Sequence, residues 1–150
     1  MVRTADPTDS RVTNAWCLIL GLVLLAASGC ARTMYDPSRA SQPYPKHLHR
    51  PESVDIQVFR DGPDLDIVNS TPVTYREVDI WINQRFTTHL EVLRAGATIR
   101  LPLWDFWDER GDRLSAGGFW RTEEPTPVRL VQLQLSDEAP LVGLVTIYEE

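Results

Sequence analysis

From about residue 53 the chain alternates apolar and polar positions with a period of two, in short runs broken by turn residues. Val54, Ile56 and Val58 alternate with Asp55, Gln57 and Phe59, the pattern of a strand with one face buried. Arg60-Asp61-Gly62-Pro63-Asp64 reads as a turn, because Gly and Pro each supply a backbone angle that turns need. Leu65-Asp66-Ile67-Val68 returns as a strand and stops at Asn69-Ser70-Thr71-Pro72. The clearest strand runs from Tyr75 to Asn83, with Val78, Ile80 and Ile82 on one face and Tyr75, Glu77, Asp79 and Trp81 on the other. Further strands are expected over 86–93, 98–101 and 103–107, and Gly117-Gly118 precede Phe119-Trp120. Val128 to Leu135 and Leu141 to Tyr148 form a last hairpin across Ser136-Asp137-Glu138-Ala139-Pro140. No segment carries a helical stripe. Seven to nine short strands with turns every 8–12 residues predict an all-β fold, an antiparallel sandwich or barrel.

The first part of the chain reads differently. Arg3 and Arg11 form a weakly basic start, followed by an apolar run from Ala15 to Ser28. A spanning helix needs about 20 apolar residues, so this shorter run suits a secretory signal. The residues Ala27-Ser28-Gly29-Cys30 resemble the lipobox of bacterial lipoproteins. Ser28 and Gly29 match the small residues that pattern requires, while Ala27 stands where it prefers Leu. The resemblance implies a diacylglyceryl group on the Cys30 thiol and cleavage between Gly29 and Cys30. Residues 1–29 are then a signal peptide, and the protein is held to a membrane on its extracytoplasmic side. Asp directly after the lipidated cysteine often signals inner-membrane retention. Ala31 stands there, which favours the outer membrane where there is one.

Residues 30–52 contain Pro37, Pro43, Pro45 and Pro51 and show no apolar period. Proline removes ladder donors and breaks helices, so this stretch is expected to be a disordered tether ahead of a domain over 53–150. At about 3.1 Å per extended residue it reaches roughly 60 Å. Tyr35 and Tyr44 are its two residues able to dock on the domain. The chain has two cysteines, Cys17 and Cys30. Loss of the first with the signal peptide and lipidation of the second leave the domain without thiol or disulfide.

The formal net charge is −6, and it survives removal of residues 1–29 because two arginines leave with two aspartates. Such a balance excludes nucleic acid as a partner, which needs clustered Lys and Arg. The run Ile67 to Thr71, then Val78 to Asn83, Leu93 to Ala97 and Phe106 to Gly111 resembles small extracytoplasmic immunoglobulin-like domains. In those, a strand ending in Asn is followed by a second strand, a Gly turn and a Phe-containing strand closing in Asp-x-x-Gly. The resemblance implies an antiparallel immunoglobulin-like β-sandwich and no particular function.

Four features are candidate sites. Trp81, Trp104, Trp107 and Trp120 are candidates for a binding face, since tryptophans beside carboxylates stack on sugars; the competing role is core filling. Asp105, Asp108, Glu109 and Asp112 lack the EF-hand spacing, and Arg110 and Arg113 are expected to pair with them. His47 and His49 lack a third metal ligand nearby, the only other histidine being His89. Asn69-Ser70-Thr71 matches a glycosylation acceptor but reads as a turn in which Asn caps the backbone. A carboxylate pair drawn from Asp105, Asp108 and Glu123 has nothing to position it, and no nucleophile elbow, phosphate loop or zincin motif is present. The expectation is therefore a non-catalytic module without cofactor that binds an envelope protein. The alternative is a glycan or cell-wall binder using exposed tryptophans.

Overall fold

A computed structural model describes residues 34–117 and 124–147. The segment expected as a signal peptide, with Gly29, and Cys30, Trp120 and Glu123 lie outside the described residues. Seven strands are present: β1 (His49–Asp61), β2 (Asp64–Asn69), β3 (Tyr75–Ile82), β4 (Phe86–Leu93), β5 (Thr98–Pro102), β6 (Val131–Gln134) and β7 (Leu141–Ile147). They form one sheet in the order β4-β3-β6-β7-β1-β2-β5. The all-β expectation holds, but the architecture is a single mixed sheet, not an antiparallel sandwich. β1 and β7 run parallel, with Val58 beside Thr146 and Phe59 beside Ile147. All the other pairs are antiparallel.

The sheet curls until its outer strands approach each other, which gives it a barrel-like form. After β5 the chain makes a 3-10 turn over Leu103–Asp105. It then reaches β4, where Thr87 and Trp107 exchange both backbone hydrogen bonds. At the other end, buried Asn69 at the close of β2 donates from Nδ2 to the carbonyls of Val73, Leu93 and Arg94. Its Oδ1 accepts from the Thr71 N–H and hydroxyl. Asn69 thus caps the turn as expected, and it also ties β2 to the end of β4. Because Asn69 is fully buried, its side chain is not presented for glycosylation.

The inward face is the alternation read from the sequence. Ile56, Val58, Leu65, Ile67, Val78, Ile80, Ile82, Val131 and Leu133 are all fully buried in one cluster. The segment expected as a strand over 103–107 is instead the 3-10 turn followed by a short bridge. This change lets Leu103, Trp104 and Phe106 all turn into that cluster, which a strand's strict alternation would forbid. Leu114 and Ala116 complete it. Arg60 spans from β1 to the irregular segments, donating to the carbonyls of Thr126, Ala116 and Gly62.

The β3–β4 turn needs positive φ at two successive positions, and Asn83 (φ 52) and Gln84 (φ 58) supply it. Asn83 also orders the entry to β6. Its Oδ1 accepts from the N–H groups of Arg129 and Leu130, and its Nδ2 donates to the Pro127 carbonyl.

The proline-rich stretch departs most from expectation. The compact unit carrying the sheet runs Thr33–Glu150, and from Met34 onward the chain is packed, not loose. It makes 3-10 turns over Pro37–Arg39 and Lys46–Leu48, and β1 begins at His49, inside the expected tether. Asp36 caps the first turn, its Oδ1 accepting from the Ser38 N–H and hydroxyl. Backbone bonds fasten this strap to the turn after Trp107. Arg113 N–H donates to Met34, Asp36 N–H to Gly111 and Ser41 N–H to Asp108. Prolines do not hinder this, because the strap attaches by isolated bonds and side chains and adds no strand.

Gly111 is the tightest point of the attachment. Its φ is +85, and a Cβ there would overlap the Asp36 carbonyl. Left-handed backbone costs a residue with a Cβ about 1–2 kcal/mol, and displacing Asp36 adds to that. Gly111→Ala is therefore expected to lower the melting temperature by several degrees. An unchanged melting temperature would show that the strap is not seated there.

Candidate functional site

The strap crosses the outward face of β3 and β6 and converts it into interior. Trp81 points outward from β3, as its parity predicts, yet it is fully buried. The Tyr44 ring meets it edge-on with centroids 5.4 Å apart. Trp81 Nε1–H donates to Gln134 Oε1 at 2.9 Å, and Gln134 Nε2 donates to the Asp137 carbonyl. Tyr44 Oη donates to Gln132 Oε1 at 2.8 Å. His49 Nδ1 lies 2.9 Å from Gln132 Nε2, a donor, so the ring accepts there in its Nε2–H tautomer. Burial pushes the Tyr44 hydroxyl up in pKa. Both glutamines are about 1% exposed, and no buried side-chain polar atom among the described residues lacks a partner. The layer is a closed network, which rigidifies a fold when every member is satisfied.

Next to it the turn Asp108–Asp112 is built around a buried carboxylate. Asp108 Oδ1 accepts from the N–H groups of Arg110 and Asp112, and Oδ2 takes an ion pair from Arg85 at 2.7 Å. Arg85 also reaches Asp112. Burial pushes the Asp108 carboxyl up, but the Arg85 bond and the two backbone donors outweigh it, and its pKa is held below the ordinary value. The expected partners were Arg110 and Arg113. Arg110 contributes only its backbone, and Arg113 lies over the Trp107 ring at 4.7 Å and donates to the Trp104 carbonyl. A carboxylate saturated by donors in this way is a poor general base. A cleft of about 580 Å³ opens beside this turn, lined by Tyr44, Lys46, Gln84, Arg85, Glu109 and Arg110 among others.

Trp104 and Trp107 are each 8% exposed, so three of the four tryptophans proposed as a binding face are enclosed and present no open ring. Trp104 packs in the core; Trp107 lies beneath Arg39, whose guanidinium stands 5.9 Å from the ring, and beneath Arg113. Tyr44, Gln132 and Gln134 are not legible as a set in the sequence. The one available signal was that Gln132 and Gln134 sit at alternate positions of an otherwise apolar strand.

His89 on β4 stands between two carboxylates, 2.9 Å from Asp79 and 3.1 Å from Glu77. Glu77 is held at φ 48 inside β3. Hydrogen bonds to Asp79 and then Glu77 raise the His89 pKa, with desolvation opposing. A raised histidine stabilises the fold fully below its unfolded pKa near 6.5, and that contribution disappears as pH rises through the folded value. Stability of the wild type is expected to fall between pH 6 and 8 by more than that of His89→Gln, as read by urea melts. Identical pH dependence of the two would remove the effect. His47 is exposed, and among the described residues no three His, Cys, Asp or Glu side chains converge to hold a metal.

Beyond the strap the outward face carries charged pairs, Arg100 with Asp61 and Asp66, and one exposed apolar pair. Val145 and Ile147 of β7 are 43% and 39% exposed, and they pair with Gln57 and Phe59 of β1. No protein-family profile, curated protein or solved structure matches the chain.

Proposed function

We propose that the protein is a lipid-anchored cell-envelope lipoprotein whose domain acts as a non-catalytic protein-interaction module, held by lipid on Cys30 to the extracytoplasmic side, at the outer membrane where there is one. The observation that carries the reading is the exposed apolar pair Val145 and Ile147 beside Phe59, on a strand face whose other half is sealed by the chain's own strap. Exposed apolar patches on a soluble domain mark interaction surfaces. Enclosure of Trp81, Trp104 and Trp107 weighs against the glycan reading, since sugar stacking needs open ring faces.

The reading has two tests in intact cells. Cys30→Ser is expected to move the protein from the membrane to the soluble fraction; membrane retention would remove the anchor. A photo-crosslinking residue at Val145 is expected to capture one envelope protein, and Ile147→Asp is expected to suppress that adduct without changing the melting temperature. No adduct, together with retention of the protein on isolated cell wall, would favour the glycan alternative.

A further inference from the structure

We infer that the packed strap seats the domain flush on the lipid bilayer, with the turn around Glu109–Gly111 as the face turned to the headgroups. This rests on the proposed lipidation of Cys30. Only Ala31, Arg32 and Thr33 separate Cys30 from Met34, and four residue steps span at most about 14 Å. From Met34 the chain is fixed to the domain, because its carbonyl accepts from Arg113 N–H and the next residues bond to Gly111 and Asp108. The link from Cys30 to the packed strap can therefore reach at most about 14 Å, against the roughly 60 Å available if residues up to Pro51 were loose.

The edge where the strap enters suits an interface. Tyr35 is 58% exposed there and bridges to Asp112; an aromatic ring with a polar tip is favoured at a membrane surface. The charges around it are of both signs, exposed Arg39 and Arg110 standing with exposed Glu109 and half-buried Asp36, so the edge is not a purely acidic surface. The Arg94–Ala97 turn lies at the other end of the β3–β4 pair, since Thr87 near the start of β4 bridges to Trp107 and β4 ends at Leu93. A β-strand rises about 3.3 Å per residue, so the length of β4 alone separates the two ends by roughly 20 Å.

The test uses the full lipidated chain in vesicles of phosphatidylethanolamine and phosphatidylglycerol carrying a headgroup-attached energy acceptor. The lipid on Cys30 blocks its thiol, so a donor dye is placed uniquely through Glu109→Cys or Ala95→Cys. Transfer is expected to be several-fold greater from residue 109 than from residue 95. Lengthening the tether with a flexible Gly/Ser insert of about twelve residues after Arg32, which adds r.m.s. reach of roughly 20 Å without touching the packed strap, is expected to remove most of that difference. Gly111→Val, which unseats the strap, is expected to do the same. Equal transfer from the two positions in the uninserted chain, with the protein floating on the vesicles, would overturn the flush seating alone. Failure to float would overturn the anchor and the seating with it.

Discussion

Replacing Trp81 by alanine is expected to destabilise the domain by roughly 3–5 kcal/mol, the cost of emptying a fully buried aromatic site. Two losses add in this position. The indole leaves a void between the sheet and Tyr44, whose ring edge rests on it at 5.4 Å. Its Nε1–H also leaves Gln134 Oε1 without a donor in a layer where Gln134 is about 1% exposed. Trp81→Phe separates the terms, because it keeps a ring under Tyr44 but removes the donor; about 1–3 kcal/mol is expected for it. Urea unfolding of both variants reads the two numbers. A loss below about 1 kcal/mol for Trp81→Ala would mean that the outward face of β3 is wet and the strap does not cover it.

Asn69→Asp is the second large effect, although it changes one atom in shape. The Asn69 amide nitrogen faces the carbonyl oxygens of Val73, Leu93 and Arg94 at 2.8, 3.4 and 3.0 Å. A carboxylate oxygen in that place meets three acceptors in a fully buried position. An uncompensated buried charge costs about 3–5 kcal/mol, and because Asn69 joins β2 to the end of β4, the cost falls on closure of the sheet. Protonation restores one donor, so the variant's carboxyl titrates above the unfolded value near 3.9. The sign follows: the variant is closest to wild type in acid and loses stability as pH rises through the raised value. Thermal melts from pH 4 to pH 8 check this; a variant as stable as wild type at pH 7 would contradict the assigned orientation of the amide.

The strands were legible because each has one face in the core. Val78, Ile80 and Ile82, or Leu65 and Ile67, announce themselves by parity alone. Partner choice was not legible. The parallel pairing of β1 with β7 joins segments from the two ends of the domain, and alternation fixes which face is buried without naming the neighbour. A strand over 103–107 would put Trp104 and Phe106 on one face and Leu103 on the other, yet Pro102 ends the ladder and the 3-10 turn over Leu103–Asp105 brings Leu103 into the core with both. Trp81 departs from expectation for a different reason. Its parity correctly places it outward, and its burial depends on Tyr44 arriving from a stretch whose prolines argue against regular structure. Composition excludes helices and ladders there; it does not exclude a strap held by isolated bonds. For Asp108, nearness in sequence suggests Arg110 and Arg113, whereas the Asp-x-x-Gly turn spends one carboxylate oxygen on its own N–H groups and leaves the other for Arg85 in the β3–β4 turn.

That packing of residues 34–48 as part of the fold is the claim on which the buried tryptophan layer and the proposed short membrane link both depend. Native-state hydrogen exchange at the amides of Asp36 and Ser41, which donate to Gly111 and Asp108, tests it most directly. Both are expected to be protected well beyond unstructured-peptide rates, and Gly111→Ala is expected to reduce that protection while β3 and β6 stay slow. Exchange of Asp36 and Ser41 at unstructured-peptide rates, with β3 and β6 protected, would contradict the account.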